Sequence, residues 1–412
     1  MQMNYFGEGI ACYKLLSLNA MDLFSRRGSI TVTSNKWLTP YLEQEMIALG
    51  YLIEERFATG VRITGTLAEC IRLNLNLRCA SQVLYSLKSF RAVNTDDVYR
   101  ELASFPWEDI LPEDLYFSVT SNTSNPTINN SMFANLRVKD AVVDRLRAKR
   151  GSRPATGPEL TGAVVHLFWK DDHAEIFVDT SGDSLARHGY RKIPGRAPML
   201  ESLASAVVMS SKWDRASPFV NPMCGSGTLA IEAALIATNT MPGLFRNNYA
   251  FMHLKGYDET VFLDQRGILE NQIANVKGLR IIATDYSAQA ITNARKNAAA
   301  AGVDDLIEFS VCDFADTPTP QEVKGVVFFN PEYGERLGDI SELEAVYRRI
   351  GDYMKQQCKG YTGYVFTGNF ELAKKIGLKA AKKTTFFNGP IDCRLLEYEL
   401  YAGSRREPVQ PA

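Results

Sequence analysis

From Met199 onward, apolar strand-like runs alternate regularly with helix-like ones, and no other feature limits the possible folds of this chain as tightly. The helix-like "MLESLASAVVMSS" precedes the strand "SPFVN", the helix "TLAIEAALIAT", the strand "LRIIATD" and the helix "SAQAITNARKNAAAAG". Two strands, "LIEFSVCD" and "GVVFFN", then lead to the helix "ELEAVYRRIGDYMKQQC" and the strand "YTGYVFTGN". Such alternation calls for a mostly parallel α/β sheet covered by helices on both faces. In the closing "KKTTFFNGPIDCRLLEYEL", Asn388-Gly389 stands between two strand-like runs, so the sheet should finish with an antiparallel hairpin.

The chain has 412 residues, which exceeds one comfortable core, so a second domain is expected ahead of this sheet. Residues 28–80 read as a small α+β module, with strands at "SITVTS" and "GVRITGT" and helices at "LTPYLEQEMIALG" and "LAECIRLNLNLRCA". A second set follows: a strand from Leu115, a helix "NLRVKDAVVDRLRAKR", and the strands "GAVVHLFWK" and "AEIFVDTSG" around a turn at Asp171-Asp172. Val138, Val142 and Leu146 recur at helical spacing, so that helix should pack by one side and turn its bases outward. Residues 182–198, "GDSLARHGYRKIPGRAP", are rich in Gly, Pro and base and read as a charged linker.

A net charge of −1 conceals this local asymmetry. Arg137, Lys139, Arg145, Lys149 and Arg150 on the helix, and Arg187, Arg191, Lys192 and Arg196 in the linker, form two segments able to neutralise phosphates. The competing reading is an ordinary solvated basic surface. Seven scattered cysteines include no C-x-x-C pair, and the four histidines show no ligand spacing, so no metal site is expected. No apolar stretch is long enough to span a membrane, and the first thirty residues lack a signal pattern, so a cytoplasmic protein is expected. Oligomeric state leaves no mark on the sequence.

After the strand ending at Val220, "NPMCGSGTLAIEAALIA" places Gly225, Gly227 and Ala230 in a G-x-G-x-x-[GA] turn, which lets backbone amides at a helix start approach a nucleotide. A dinucleotide site would want its ribose-binding acid about 20 residues further on. Here the first acid at a strand end is Asp285, far beyond, and Asp313 follows at the end of the next strand-like run. Two acids on the ligand-bearing edge suit a nucleoside, whose hydroxyls and amino group need acceptors; read singly, each is an ordinary cap or turn residue.

"NPMCGSGTLAIEAALIA", "ATD", "CDF" and "NPEYGERLG", preceded by "DTSGDSLARHGYRKIPGRAPMLESLASAVV", closely resemble the bacterial S-adenosylmethionine-dependent guanine-N2 methyltransferases of large-subunit ribosomal RNA that carry a THUMP domain. The likeness runs from about Ser29 to Leu400. It implies an N-terminal extension over 1–28, a ferredoxin-like piece plus an RNA-gripping THUMP domain over 29–181, a Rossmann-like seven-stranded methyltransferase domain over 199–403, and a tail from 404 to 412. It also implies S-adenosyl-L-methionine as cofactor, held around Asn221, Pro222, Cys224, Gly225, Gly227, Thr228, Asp285, Tyr286, Asp313, Phe314 and Asn330. The expected partner is 23S ribosomal RNA or a large-subunit precursor. Some relatives carry a second methyltransferase domain; this chain stops without one, so a single activity is expected.

An exocyclic purine amine is a poor nucleophile, because its lone pair is delocalised into the ring. Acceptors that draw on its hydrogens localise that pair, and the Asn330 side-chain oxygen and the Pro331 carbonyl are suited to do so. Tyr333 offers a face for a base flipped out of its helix, and Gly334 lets the backbone fold away. Glu332 stands where the family usually has a second proline, either facing the base or facing solvent. Asn221 stands where the family usually has Asp. Glu335-Arg336 would position the loop. The rival readings are methylation of adenine N6 or of a transfer RNA guanine, an RNA-binding assembly factor that has lost catalysis, and a nicotinamide oxidoreductase, which the position of Asp285 disfavours.

Overall fold

The computed structural model describes residues 23–401 except 126–127, 129, 194–198, 322–323 and 334–339. Gly334, Glu335, Arg336 and Arg196, the chain ahead of residue 23 and the tail from 402 lie outside the described residues. Two sheets organise the rest.

The N-terminal sheet has eight strands in the order β2-β3-β1-β4-β8-β7-β5-β6. These are β1 Gly28–Ser34, β2 Glu55–Phe57, β3 Gly60–Gly65, β4 Ala80–Arg91, β5 Tyr116–Ser124, β6 Ala155–Thr156, β7 Ala163–Lys170 and β8 His173–Asp179. The two modules legible in the sequence are therefore one continuous sheet, because the long β4 pairs antiparallel with β1 on one side and with β8 on the other. In β7, Ala163, Val165, Leu167 and Trp169 point into the core at period two. The basic helix begins earlier than its apolar spacing indicates, at Ser131, because Asn130 Oδ1 accepts from Met132 N at 2.9 Å and caps it. It ends at Arg150, where Gly151 takes a left-handed φ of 76°.

The C-terminal sheet runs β11-β10-β9-β12-β13-β15-β14, from β9 Phe219–Pro222, β10 Ile281–Asp285, β11 Ile307–Val311, β12 Val326–Phe329, β13 Thr362–Thr367, β14 Lys382–Asn388 and β15 Ile391–Glu399. The first five of these are parallel. β15 runs antiparallel to β13, and β14 antiparallel to β15. Hence β14 points the same way as β13, and its tip reaches the edge where the parallel strands end. The hairpin is present, with a register one step from the Asn-Gly reading. Asn388 pairs with Ile391, so the loop is Gly389-Pro390, with glycine at φ 60° in the first loop position. That is the glycine position of a type II′ turn, and proline's fixed φ suits the second.

Residues 182–193 do not form a free tether. Leu185, Ala186, His188 and Tyr190 are buried, and the last two sit in a polar cluster that ties the two sheets together. His188 Nδ1 donates to Glu232 Oε1 at 2.8 Å and Nε2 donates to the Arg78 carbonyl at 2.9 Å. Both ring nitrogens face acceptors, which demands the protonated ring. Tyr190 and Ser205 also donate to Glu232, and buried Arg78 donates to the Thr240 carbonyl at 2.7 Å.

Candidate active site

The tips of β9, β10 and β12 lie side by side, because β9 pairs with β10 on one flank and with β12 on the other. Just beyond β9 the chain makes the glycine turn into the helix Thr228–Ala237. Met223, Gly225 and Gly227 there have φ of 61°, 57° and 84°. Gly227 sits tightly, since an added Cβ would lie 3.0 Å from the Ala294 Cβ, whereas one at Gly225 would meet nothing within 4 Å. One glycine serves helix packing and the other borders open space. Cys224 is buried, which pushes its thiol pKa up and argues against a nucleophilic role.

Asp285, at the tip of β10, holds this turn. Its Oδ2 accepts from Gly225 N and its Oδ1 from Ser287 N, both at 2.9 Å. Tyr286 follows and is 77% exposed. Asp313 lies two residues past β11 and caps a short 3₁₀ turn, with Oδ1 accepting from Ala315 N at 2.9 Å and from Arg349 Nη2 at 2.7 Å. Burial works against the charge, but the backbone amide and the guanidinium outweigh it and keep the carboxyl below its usual range. The Phe314 ring is core, packed against Phe329 with the Arg349 guanidinium 4.7 Å from its centre, so its side chain offers no free face to a ligand. Phe314 can contribute through its backbone alone.

Asn221 joins β9 to the third tip. Its Nδ2 donates to the Phe328 carbonyl at 2.9 Å, two residues before Asn330, a bond that the family's usual aspartate could not make. Among the described residues its Oδ1 is buried without a partner, and so is the Oδ1 of Asn330. Pro331 is buried, while the Glu332 side chain is exposed. Tyr333 is held by the hairpin: Asn388 Nδ2 donates to its Oη at 2.9 Å, and an added Cβ at Gly368 would fall 2.9 Å from its ring. Burial raises its phenol pKa, so it stays neutral. Tyr347 Oη donates to the Glu332 carbonyl at 3.3 Å.

The expected phosphate contacts fare differently. Arg137 pairs with Asp96 and lies over Tyr99, Arg145 pairs in two bonds with Glu108, and Arg150 donates to the carbonyls of Glu108, Leu111 and Pro112. Arg191 donates to Thr228 Oγ1 at 3.0 Å and to the Met199 carbonyl, so it clamps the start of the glycine-turn helix. All four are half-buried and bonded within the protein, mostly to acceptors distant in sequence that a count of local charge cannot find; Met199, eight residues from Arg191, is the near one. Lys192 donates to the Gly189 carbonyl at 3.2 Å. Lys149 and Arg187 are exposed and Lys139 is half-buried; Arg187 lines an open cavity of about 300 Å³ with Arg246 and Asn248. Sequence reasoning missed Arg349, Asn388 and Asn297, which bridges Ile193 to the Ser226 carbonyl. Only Asn388 carried a local signal, as a turn residue.

A glycine turn, an acid tip and an Asn-Pro-x-Tyr loop on a sheet of this order define a Rossmann-like methyltransferase domain. Residues 188–397 match the family described as RMKL-like, methyltransferase domain, and the chain belongs to that family. Residues 92–179 match the THUMP domain and 29–84 the RlmL ferredoxin-like domain. The chain is 37% identical over 379 residues to the ribosomal RNA large subunit methyltransferase K/L of Syntrophotalea carbinolica, covering 89% of this chain and 53% of that one. It therefore spans about half the length of the K/L relatives it matches. Among solved structures it resembles a "putative methyltransferase complexed with SAH" at 27% identity and TM-score 0.82, over 92% of this chain and all of that one. It also resembles a "predicted N6-adenine-specific DNA methylase" from Listeria monocytogenes at 32% identity and TM-score 0.81, over 91% and 97%. Among the described residues no helix is long and apolar enough to cross a membrane, and no group of three or more His, Cys, Asp or Glu could hold a metal ion.

Proposed function

We propose that this chain is an S-adenosyl-L-methionine-dependent RNA methyltransferase acting on N2 of a guanine in large-subunit ribosomal RNA. The observation that carries the reading is that Asn221 Oδ1 and Asn330 Oδ1 are buried without a partner among the described residues, on strand tips beside a glycine turn with open space at Gly225. Buried acceptors without donors are costly unless a ligand supplies the donors, and both an ammonium and an exocyclic amine do so. The residues present thus fit the cofactor: Gly225 and the amides after it for close approach, Asp285 to order the turn, and Asn221 as a neutral acceptor. When bound, S-adenosylmethionine supplies a methyl carbon made electrophilic by its sulfonium.

The chain's own residues do the rest. Asn330 Oδ1 and the Pro331 carbonyl accept from the target NH₂, orient it and localise its lone pair. Tyr333, fixed by Asn388, presents a ring for the flipped base. No strong base is required of them, because the amine sheds its proton late. The names of the K/L relatives and the THUMP match support RNA as substrate.

Adenine N6 is the second reading, since two carbonyl-type acceptors fit any planar exocyclic amine and the Listeria neighbour bears that name. Mass spectrometry of nucleosides from ribosomal RNA incubated with the pure protein and cofactor tests both. N2-methylguanosine is expected; N6-methyladenosine would move the target, and no methyl transfer together with no cofactor binding by calorimetry would overturn the proposal.

A further inference from the structure

Arg137, Arg145, Arg150 and Arg191 are half-buried and bonded within the protein, so a surface that grips substrate needs further exposed groups. The turn after β1 is the strongest candidate. Trp37 there has φ 69° and is 49% exposed. A bulky residue in left-handed backbone is strained, and such strain persists at functional sites. Exposing an indole adds a solvation cost that packing does not return.

The turn also abuts the candidate active site. Lys36 Nζ lies 4.2 Å from the centre of the Phe387 ring, and Tyr41 stacks on Phe386 at 5.7 Å. From Phe386 the rings continue through Phe366, at 6.1 Å, to Tyr333, a further 6.2 Å on. Asn388, the neighbour of Phe387 in β14, donates to Tyr333. Since β14 ends at the same edge as the parallel strands, the turn lies on the flank of that edge that holds Tyr333. Along β14, Lys383, Thr385 and Phe387 share one face at period two. No acid occurs between Glu371 and Asp392, while Lys379, Lys382 and Lys383 are exposed. Lysines on an edge strand alone would be read as protection against edge-to-edge pairing. The strained, exposed tryptophan beside them has no such explanation.

We propose that the turn around Lys36-Trp37 and the face of β14 form an RNA-docking surface beside the candidate active site, where Trp37 stacks on an unpaired base flanking the target nucleotide and Lys36 and Lys383 follow its phosphates. This inference rests on the reading of the chain as an enzyme acting on RNA.

The other three tryptophans, Trp107, Trp169 and Trp213, are 0%, 0% and 8% exposed, so contact quenching by a stacked base can reach Trp37 and not them. The full chain is titrated with an end-labelled, mixed-sequence single-stranded oligoribonucleotide of about 12 nucleotides, within the usual site size of such proteins. Anisotropy of the label and tryptophan emission are read together. Quenching that saturates with the anisotropy change is expected; Trp37→Phe should abolish the quenching, and Trp37→Ala should weaken binding about ten-fold while cofactor binding by calorimetry is unchanged. If the oligonucleotide binds without altering emission in the wild-type chain, the inference falls and the RNA reading stands; this arm needs no variant. If no RNA binds and none is methylated, the proposed function fails and takes the inference with it.

Discussion

Asn221 shows how a single amide can serve two neighbours. Its nitrogen ties β9 to the Phe328 carbonyl and its oxygen remains for a ligand, whereas a carboxylate would offer two acceptors and no donor. Asn221→Asp is therefore not a simple return to the family's usual residue. Without cofactor it should lower unfolding stability by about 1–3 kcal/mol, because a carbonyl loses its donor and a charge is buried. Saturating S-adenosylmethionine should narrow the gap, as its ammonium offsets that charge; urea melts with and without cofactor check both. Asp285→Ala frees the Gly225 and Ser287 amides together, so calorimetry should show cofactor affinity falling by more than about ten-fold, the order of two charge-assisted bonds. Asn221, Asp285 and Asn330 stood out as candidates because each is a polar residue at the end of an apolar run, on the edge where parallel strands end. Arg349 did not, because what makes it part of the site is Asp313, thirty-six residues away in the chain.

At the scale of elements, the two glycines of the nucleotide turn separate folding from binding. Both have left-handed φ, so alanine strains either by about 1–2 kcal/mol. At Gly227 the methyl also presses on Ala294, while at Gly225 it enters open space. Gly227→Ala should therefore lose the greater stability, and Gly225→Ala should lose cofactor affinity out of proportion to its stability loss; denaturant midpoints beside calorimetry distinguish them. Strands and hairpin were legible because apolar runs, continuous in the parallel strands, and turn residues are local properties. The hairpin register was not fixed by Asn388-Gly389 alone, since Pro390 moves the loop one residue on and leaves Asn388 paired and free to hold Tyr333. Residues 182–193 are loop, as their composition reads, but what anchors them was not legible, because the partners of His188 and Tyr190 come from Arg78 and Glu232, in different domains.

For the molecule as a whole, that buried cluster makes the union of the two sheets pH-sensitive, and the sign follows from its partners. Burial penalises the charged His188 ring, yet Glu232 outweighs the penalty and holds its pKa above the ordinary 6.5. Burial likewise disfavours the Glu232 charge, yet His188, Ser205 and Arg78 hold it below 4.5. A raised histidine contributes fully below 6.5 and loses that contribution as pH climbs through its folded value; a depressed glutamate contributes fully above 4.5 and fades as pH falls through its own. The pair is thus strongest between those two limits. His166 opposes the trend on the acid side. Buried in β7 and pushed down to about 4, it resists protonation and costs stability as pH falls below 6.5. The contribution of His188 is best isolated by comparing the protein with His188→Gln, which keeps His166. Near about pH 5.5 the variant should lose about 3–5 kcal/mol, the order found when one partner of a buried ion pair is removed. At alkaline pH, above the ring's raised folded value, the loss should shrink, because the wild-type ring then surrenders its proton and Glu232 lacks that cation in both proteins. Urea denaturation at the two pH values reads the difference directly. A gap that stayed constant would mean that His188 holds the domains by shape alone.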